Sequence, residues 1–187
     1  YGVVREHIPI DKAVKLEVPS PLTTAPFLEV KSQIDTYLKY TPEEFKIGLP
    51  DMQGPFNIAS YLIGSDIYYA FEDVPEQVHI LMKKITEFWI KAYKLVLSWI
   101  PEDRLEPPYT GKAVRIAECS CNLISKELYK EFVAPYDRQI AKIHNKVIIH
   151  PCSGPHVFEE TLEEIPDVIL TEAGYIACAT AGSISVE

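Results

Sequence analysis

A histidine and a cysteine two residues apart close the β-branched run of KVIIHPCSGPH, residues 146–156. In a strand, residues two apart point to the same side. His150 and Cys152 therefore share a face, and Pro151 takes the other. An imidazole nitrogen and a thiolate are both zinc donors, but a buried histidine beside a buried thiol would leave the same pattern. Glu172 adds a third donor. It closes the next apolar run, DVILTE, twenty residues after Cys152. In a β-α-β unit two such strand ends are neighbours in space. Nitrogen, sulfur and carboxylate oxygen with an open fourth position is the arrangement a catalytic zinc keeps.

Other residues could line or complete such a site. Glu118, Cys119 and Cys121 end the run AVRIAECSC and fall on the expected site face. Cys178 lies six residues beyond Glu172, in a small-residue loop. Asp51 follows a short apolar run, beside the Gly54–Pro55 start of a helix, where backbone N–H groups suit an anion or a polar ligand. Tyr61, in IASYLIG, suits the core as well as a site. His79, His144 and His156 read as solvent histidines.

Strand–helix alternation has to position these groups. Residues 1–44 read as an arm punctuated by Pro9, Pro19, Pro21 and Pro26, with a short helix over Phe27–Lys39. EFKIGLPDMQ reads as a strand, and GPFNIASYLIG as a helix that starts at Pro55 and stops at Gly64. FEDVPEQVHILMKKITEFWIKAYKLVLSWI reads as one long helix, with Asp73 and Glu76 at capping-box spacing. Its apolar stripe runs through Val78, Leu81, Met82, Ile85, Trp89, Ala92, Tyr93 and Val96. AVRIAECSC is a strand. SKELYKEFVAPYDRQIAKIHN is a helix capped by Ser125, kinked or split at Pro135 and stopped near Asn145. KVIIHPC, a helix over PHVFEETLEEI, DVILTEAG and a further helix start at TAGSISVE follow. Short connections and alternation predict an α/β fold with a parallel sheet.

The bulk properties narrow the partners. The chain has 187 residues, 47% of them hydrophobic, and a formal net charge of -9. Such an acidic chain argues against nucleic-acid binding through a broad basic face. No apolar run has the length of a membrane span, and YGVVREHIPIDKAVK lacks the apolar stretch of a signal peptide. Four cysteines are too few for a disulfide scaffold at this length, so the expected setting is a reducing cytoplasm. A closed eight-stranded barrel takes typically about 250 residues. The expectation is therefore a small open sheet or part of a barrel, and the stop within a helix-start signal favours a fragment.

GLPDMQGPFNIASYLIG, PEQVHILMKKITEFWIKAY, LISKELYKEFVAPYDRQIAK and VIIHPCSG, in that order, resemble the uroporphyrinogen decarboxylase superfamily. That superfamily also holds zinc-dependent methyltransferases that move methyl groups between corrinoid proteins and thiols. The resemblance runs from about residue 45 to 187 and implies a (β/α)8 TIM-type barrel. Residues 45–187 would be roughly its second half, short of the last units, and would associate with the missing half or form a homo-oligomer. In the decarboxylase branch the substrate is a tetrapyrrole and no metal is used. Tyr61 matches a site tyrosine of that branch, but its arginine motif is missing: Arg5 is the one arginine in the first hundred residues. In the methyltransferase branch, His150 and Cys152 match the zinc motif H-x-C. Glu172 has the spacing of a glutamate ligand in related cobalamin-independent methionine synthases. The glycine that usually follows the cysteine directly stands one place later, in Ser153–Gly154. The favoured expectation is zinc on His150, Cys152 and Glu172, a thiol substrate, and a methyl-corrinoid on a partner protein, with Glu118, Asp51 and Tyr61 lining the pocket. The alternatives are a metal-free decarboxylase acting on a tetrapyrrole, and a barrel that binds a corrinoid or tetrapyrrole without catalysis.

Overall fold

The computed structural model describes residues 6–106, 113–144, 147–150 and 168–170. The arm carries a one-turn helix, α1 (Ile10–Ala13), and then α2 (Ala25–Tyr40), which covers the expected 27–39. α3 (Pro55–Ile63) has proline in its first turn, where a missing N–H costs nothing. It ends at Gly64, whose φ of 75° suits a residue without Cβ.

The long helix expected from residue 71 is two helices, α4 (Asp66–Asp73) and α5 (Pro75–Ser98). Pro75 has no N–H to continue α4, and Val74 leaves helical geometry at φ -145°. Asp73 therefore ends α4 and does not cap α5, whose N-cap is Val74. The apolar stripe from Val78 to Val96 is buried as expected.

EFKIGLPDMQ makes no continuous ladder. It touches its neighbours through isolated parallel bridges, Ile47 with Leu105 and Gln53 with Ala117. Pro50 supplies no donor between them, and Gly48 has no side chain to pack. β1 (Val114–Ala117) is shorter than expected. Cys119–Leu123 is a 3-10 turn, so Cys119 and Cys121 do not alternate along a strand. Ser125 caps α6 (Lys126–Phe132), its Oγ accepting from the Leu128 N–H at 3.3 Å. Pro135 splits off α7 (Ala134–Ala141). β2 (Val147–His150) and β3 (Val168–Leu170) complete the described strands.

These three strands form a parallel sheet in the order β1-β2-β3. Val114 pairs with Val147 and Ala117 with His150; Val147 pairs with Val168. The fold is α/β as predicted. The described sheet is smaller than half a barrel. Val114, Ile116, Val147 and Ile149 face Trp89 and Tyr93 of α5 and Ile140 and Ala141 of α7. By alternation Arg115, Ala117, Ile148 and His150 take the other face. Ala117 and Ile148 are buried there too, as in a sheet covered on both sides. A second cluster joins α1 and α3–α7 around Phe56, Ile67, Met82 and Phe132. A third seats α2 against the end of α5 through Ile34, Val96 and Ile100. No helix of the described residues is long and apolar enough to cross a membrane.

Candidate functional site

The parallel register sets Gln53, Ala117 and His150 side by side at the C-terminal edge of the sheet. Open α/β sheets and barrels place their sites at this edge. His150 is half-buried and ends β2 on the face turned away from α5 and α7. Its backbone is held from β1: the Glu118 N–H donates to its carbonyl at 3.0 Å, and the Cys119 thiol approaches the same oxygen at 4.0 Å.

Asn57, in the first turn of α3, ties this edge together. It is fully buried. Its Nδ2 donates to Gln53 Oε1 at 2.8 Å and to the Ala117 carbonyl at 2.9 Å. Its Oδ1 accepts from the Ser120 N–H at 2.7 Å. Asn57 is not among the residues that spacing or motif singles out. The available signal was an asparagine inside the otherwise apolar PFNIA.

Glu118 points to the helix side. It is 1% exposed, and its two oxygens accept from the Phe56 and Asn57 N–H groups, each at 3.1 Å. The anion expected at the Gly54–Pro55 helix start is thus the protein's own carboxylate. Gly54 is needed for this approach, because a Cβ there would lie 2.0 Å from Glu118 Oε1. Asp137 of α7 packs against Glu118 and is fully buried. Burial pushes the Glu118 carboxyl well up from its ordinary range, and the neighbouring Asp137 charge pushes it further. Burial also pushes Asp137 up, to about 8. Two carboxyls this close in a dry site hold one proton between them. Cys121, fully buried beside them, is raised by burial and by both carboxylates, and stays a thiol.

The remaining candidates are spread out. Asp51 lies two residues before Gln53, alongside β1, and pairs with Arg115. Tyr61 is in the last turn of α3, at the end away from Glu118, and is 50% exposed. Its carbonyl meets His7 Nδ1 of the arm at 3.0 Å. His79 bonds the Tyr136 hydroxyl at 3.0 Å and stacks on Phe132, and His144 bonds the Tyr93 hydroxyl at 3.0 Å. Both therefore tie helices together instead of facing solvent. Cys152, His156, Glu172 and Cys178 lie outside the described residues. Among the described residues no group of three or more His, Cys, Asp or Glu is gathered for a metal.

Comparison with curated proteins finds no match. A family model does match, that of uroporphyrinogen decarboxylase (URO-D), over residues 4–175. The match takes in the arm as well as the sheet and its helices. With parallel strands in sequential order and a polar cluster at their C-terminal edge, the chain belongs to the uroporphyrinogen decarboxylase family.

Proposed function

We propose that this chain is part of a (β/α)8 barrel enzyme of the methyl-transferring branch of its superfamily, with His150, Cys152 and Glu172 as its zinc ligands. The observation that carries this reading is the place of His150. It closes a parallel strand at the C-terminal edge, on the face turned away from the helices. In the sequence Cys152 stands two residues on, at the spacing that shares a face in a strand. The donor set suits zinc: a neutral imidazole, a thiolate and a carboxylate. Bound there, zinc would supply the Lewis acidity that lowers the pKa of a coordinated thiol.

The chain's own residues prepare the position. The ladder to β1 and the Glu118 N–H fix the backbone of His150. Asn57 fixes the turn after β1. A thiol substrate deprotonated in this pocket is a nucleophile for a methyl carbon, and a methyl-corrinoid on a partner protein is the donor that fits this branch. Asp51 and Tyr61 stand further out and would meet the substrate or the partner.

A second reading, a metal-free decarboxylase acting on a tetrapyrrole, draws support from the exposed Tyr61 ring. It requires cationic groups for the substrate carboxylates. Arg104 is buried and spent on the Phe45 carbonyl and Thr41 Oγ1, and Arg115 is paired with Asp51. Two arginines among the described residues are thus engaged within the fold.

Metal analysis after reconstitution separates the two. The protein should hold about one zinc per chain. Cys152→Ser and His150→Ala should lose most of it, because a serine hydroxyl stays protonated and alanine has no donor. Glu172→Gln should lose less, and Cys119→Ser little. No zinc, or equal zinc in Cys152→Ser, moves the assignment to the decarboxylase.

A further inference from the structure

Every polar group of Glu118 is engaged within the fold. Its N–H donates to the His150 carbonyl at 3.0 Å, and its own carbonyl accepts from the Cys121 N–H at 3.2 Å. Its carboxylate accepts from the Phe56 and Asn57 N–H groups, which lie 62 and 61 residues away in the chain. The residue thus bridges two elements, with its side chain on α3 and its backbone on β2. Behind it, the Gly54 N–H holds the Ala117 carbonyl at 2.7 Å, and a Cβ on Gly54 would meet the Glu118 carboxylate. The turn after β1 therefore has no room to slide. At 1% exposure, Glu118 is too enclosed to touch a substrate, so its part at this edge is structural or positional.

Resting on the zinc site proposed above, we infer that Glu118 is a positioning residue for His150: its carboxylate, seated on the first turn of α3, fixes the N–H that holds the His150 carbonyl. A metal ligand fixed in this way loses little further freedom when the ion binds. Removing a group that orients a metal ligand typically lowers affinity by about 10–100-fold. The same bridge runs in both directions. Whatever zinc does to hold His150 in place also holds Glu118 on α3, because a coupling between two sites is reciprocal.

The test on the full chain is zinc affinity, by competition with a chelator, and the visible spectrum of cobalt(II) in place of zinc, whose filled d shell gives no bands. Glu118→Gln should bind zinc about tenfold more weakly, because an amide accepts from one N–H and sets its own NH2 against the other. Gly54→Ala should do the same with Glu118 in place, since its Cβ displaces the carboxylate. Both should shift the cobalt bands. Ile34→Ala, in α2, should move neither quantity. In the unmodified chain, zinc should slow hydrogen exchange at the Phe56 and Asn57 amides by about the factor that Glu118→Gln loses in affinity. That measurement decides the matter if either variant fails to fold. Zinc bound with unchanged exchange at Phe56 and Asn57 overturns the role of Glu118, as do unchanged cobalt bands in folded Glu118→Gln. No zinc on the unmodified chain removes the zinc site itself, and this role with it.

Discussion

Glu118 and Asp137 show how one buried charge is made tolerable. The N-terminus of α3 offers two N–H donors and the positive end of its dipole to Glu118. Asp137 has no backbone donor and lies against Glu118, so the pair holds one proton between them. The Asp137 carboxyl titrates at about 8 in the folded chain, against about 3.9 when unfolded. A group raised in this way binds more protons folded than unfolded. Its contribution to stability is complete below the unfolded value and is lost as pH rises toward the folded one. Denaturant unfolding should therefore show stability falling between about pH 4 and about pH 8. Asp137→Asn supplies a permanent donor in place of the proton. The variant should flatten that slope, and its gain over the natural chain should grow toward alkaline pH. His144, lowered by burial, contributes the opposite slope, which cancels in the comparison. A slope unchanged by Asp137→Asn would remove the shared proton.

At the scale of elements, α5 is the member on which the others are assembled. Its stripe supplies residues to all three apolar clusters. Trp89 does most at the sheet. It is 1% exposed, stacks on Tyr93 at 5.2 Å, and donates from Nε1 to the Gln53 carbonyl at 3.0 Å. That bond helps hold Gln53 beside Ala117, at the edge where His150 ends. Trp89→Ala should cost about 3–5 kcal/mol by chemical denaturation. Trp89→Phe should keep most of the packing and cost about 1–2 kcal/mol for the lost bond and volume. Equal losses for the two would mean that the ring's volume matters little.

For the molecule as a whole, the three clusters predict an order of opening. α2 is joined to the rest mainly through one small cluster, and Ile34 is its one buried residue. The sheet and α5 share the large clusters. Native-state hydrogen exchange should release α2 amides well before those of α5, β1 and β2. Ile34→Ala should widen this gap by about 2–4 kcal/mol at α2 and leave α5 unchanged near Trp89. Simultaneous exchange of α2 and α5 would show one cooperative unit.

The sequence alone determined the features that depend on near neighbours. Helical spacing marked the stripe of α5. Proline at a first turn and glycine past a last turn bounded α3, Ser125 started α6, and Pro135 divided it from α7. The β-branched runs at 114–117 and 147–150 announced strands, and alternation with helices announced a parallel sheet. His150 was legible as a strand end for the same reason. Tertiary structure decided what depends on partners distant in the chain. Glu118 was expected on the site face because it lies at the end of an apolar run, whereas alternation itself sets it with Val114 and Ile116 on the helix side. In the fold β1 stops at Ala117, and the carboxylate turns to α3, which presents N–H groups more than sixty residues away. Asn57 could not be singled out, because two of its three side-chain hydrogen bonds, to Ala117 and Ser120, reach 60 and 63 residues along the chain. Asp51 had no visible cation until the register brought Arg115 beside it. A side chain's local period fixes which way it starts; its final company is set by whichever distant donor, acceptor or charge the fold brings within hydrogen-bonding reach.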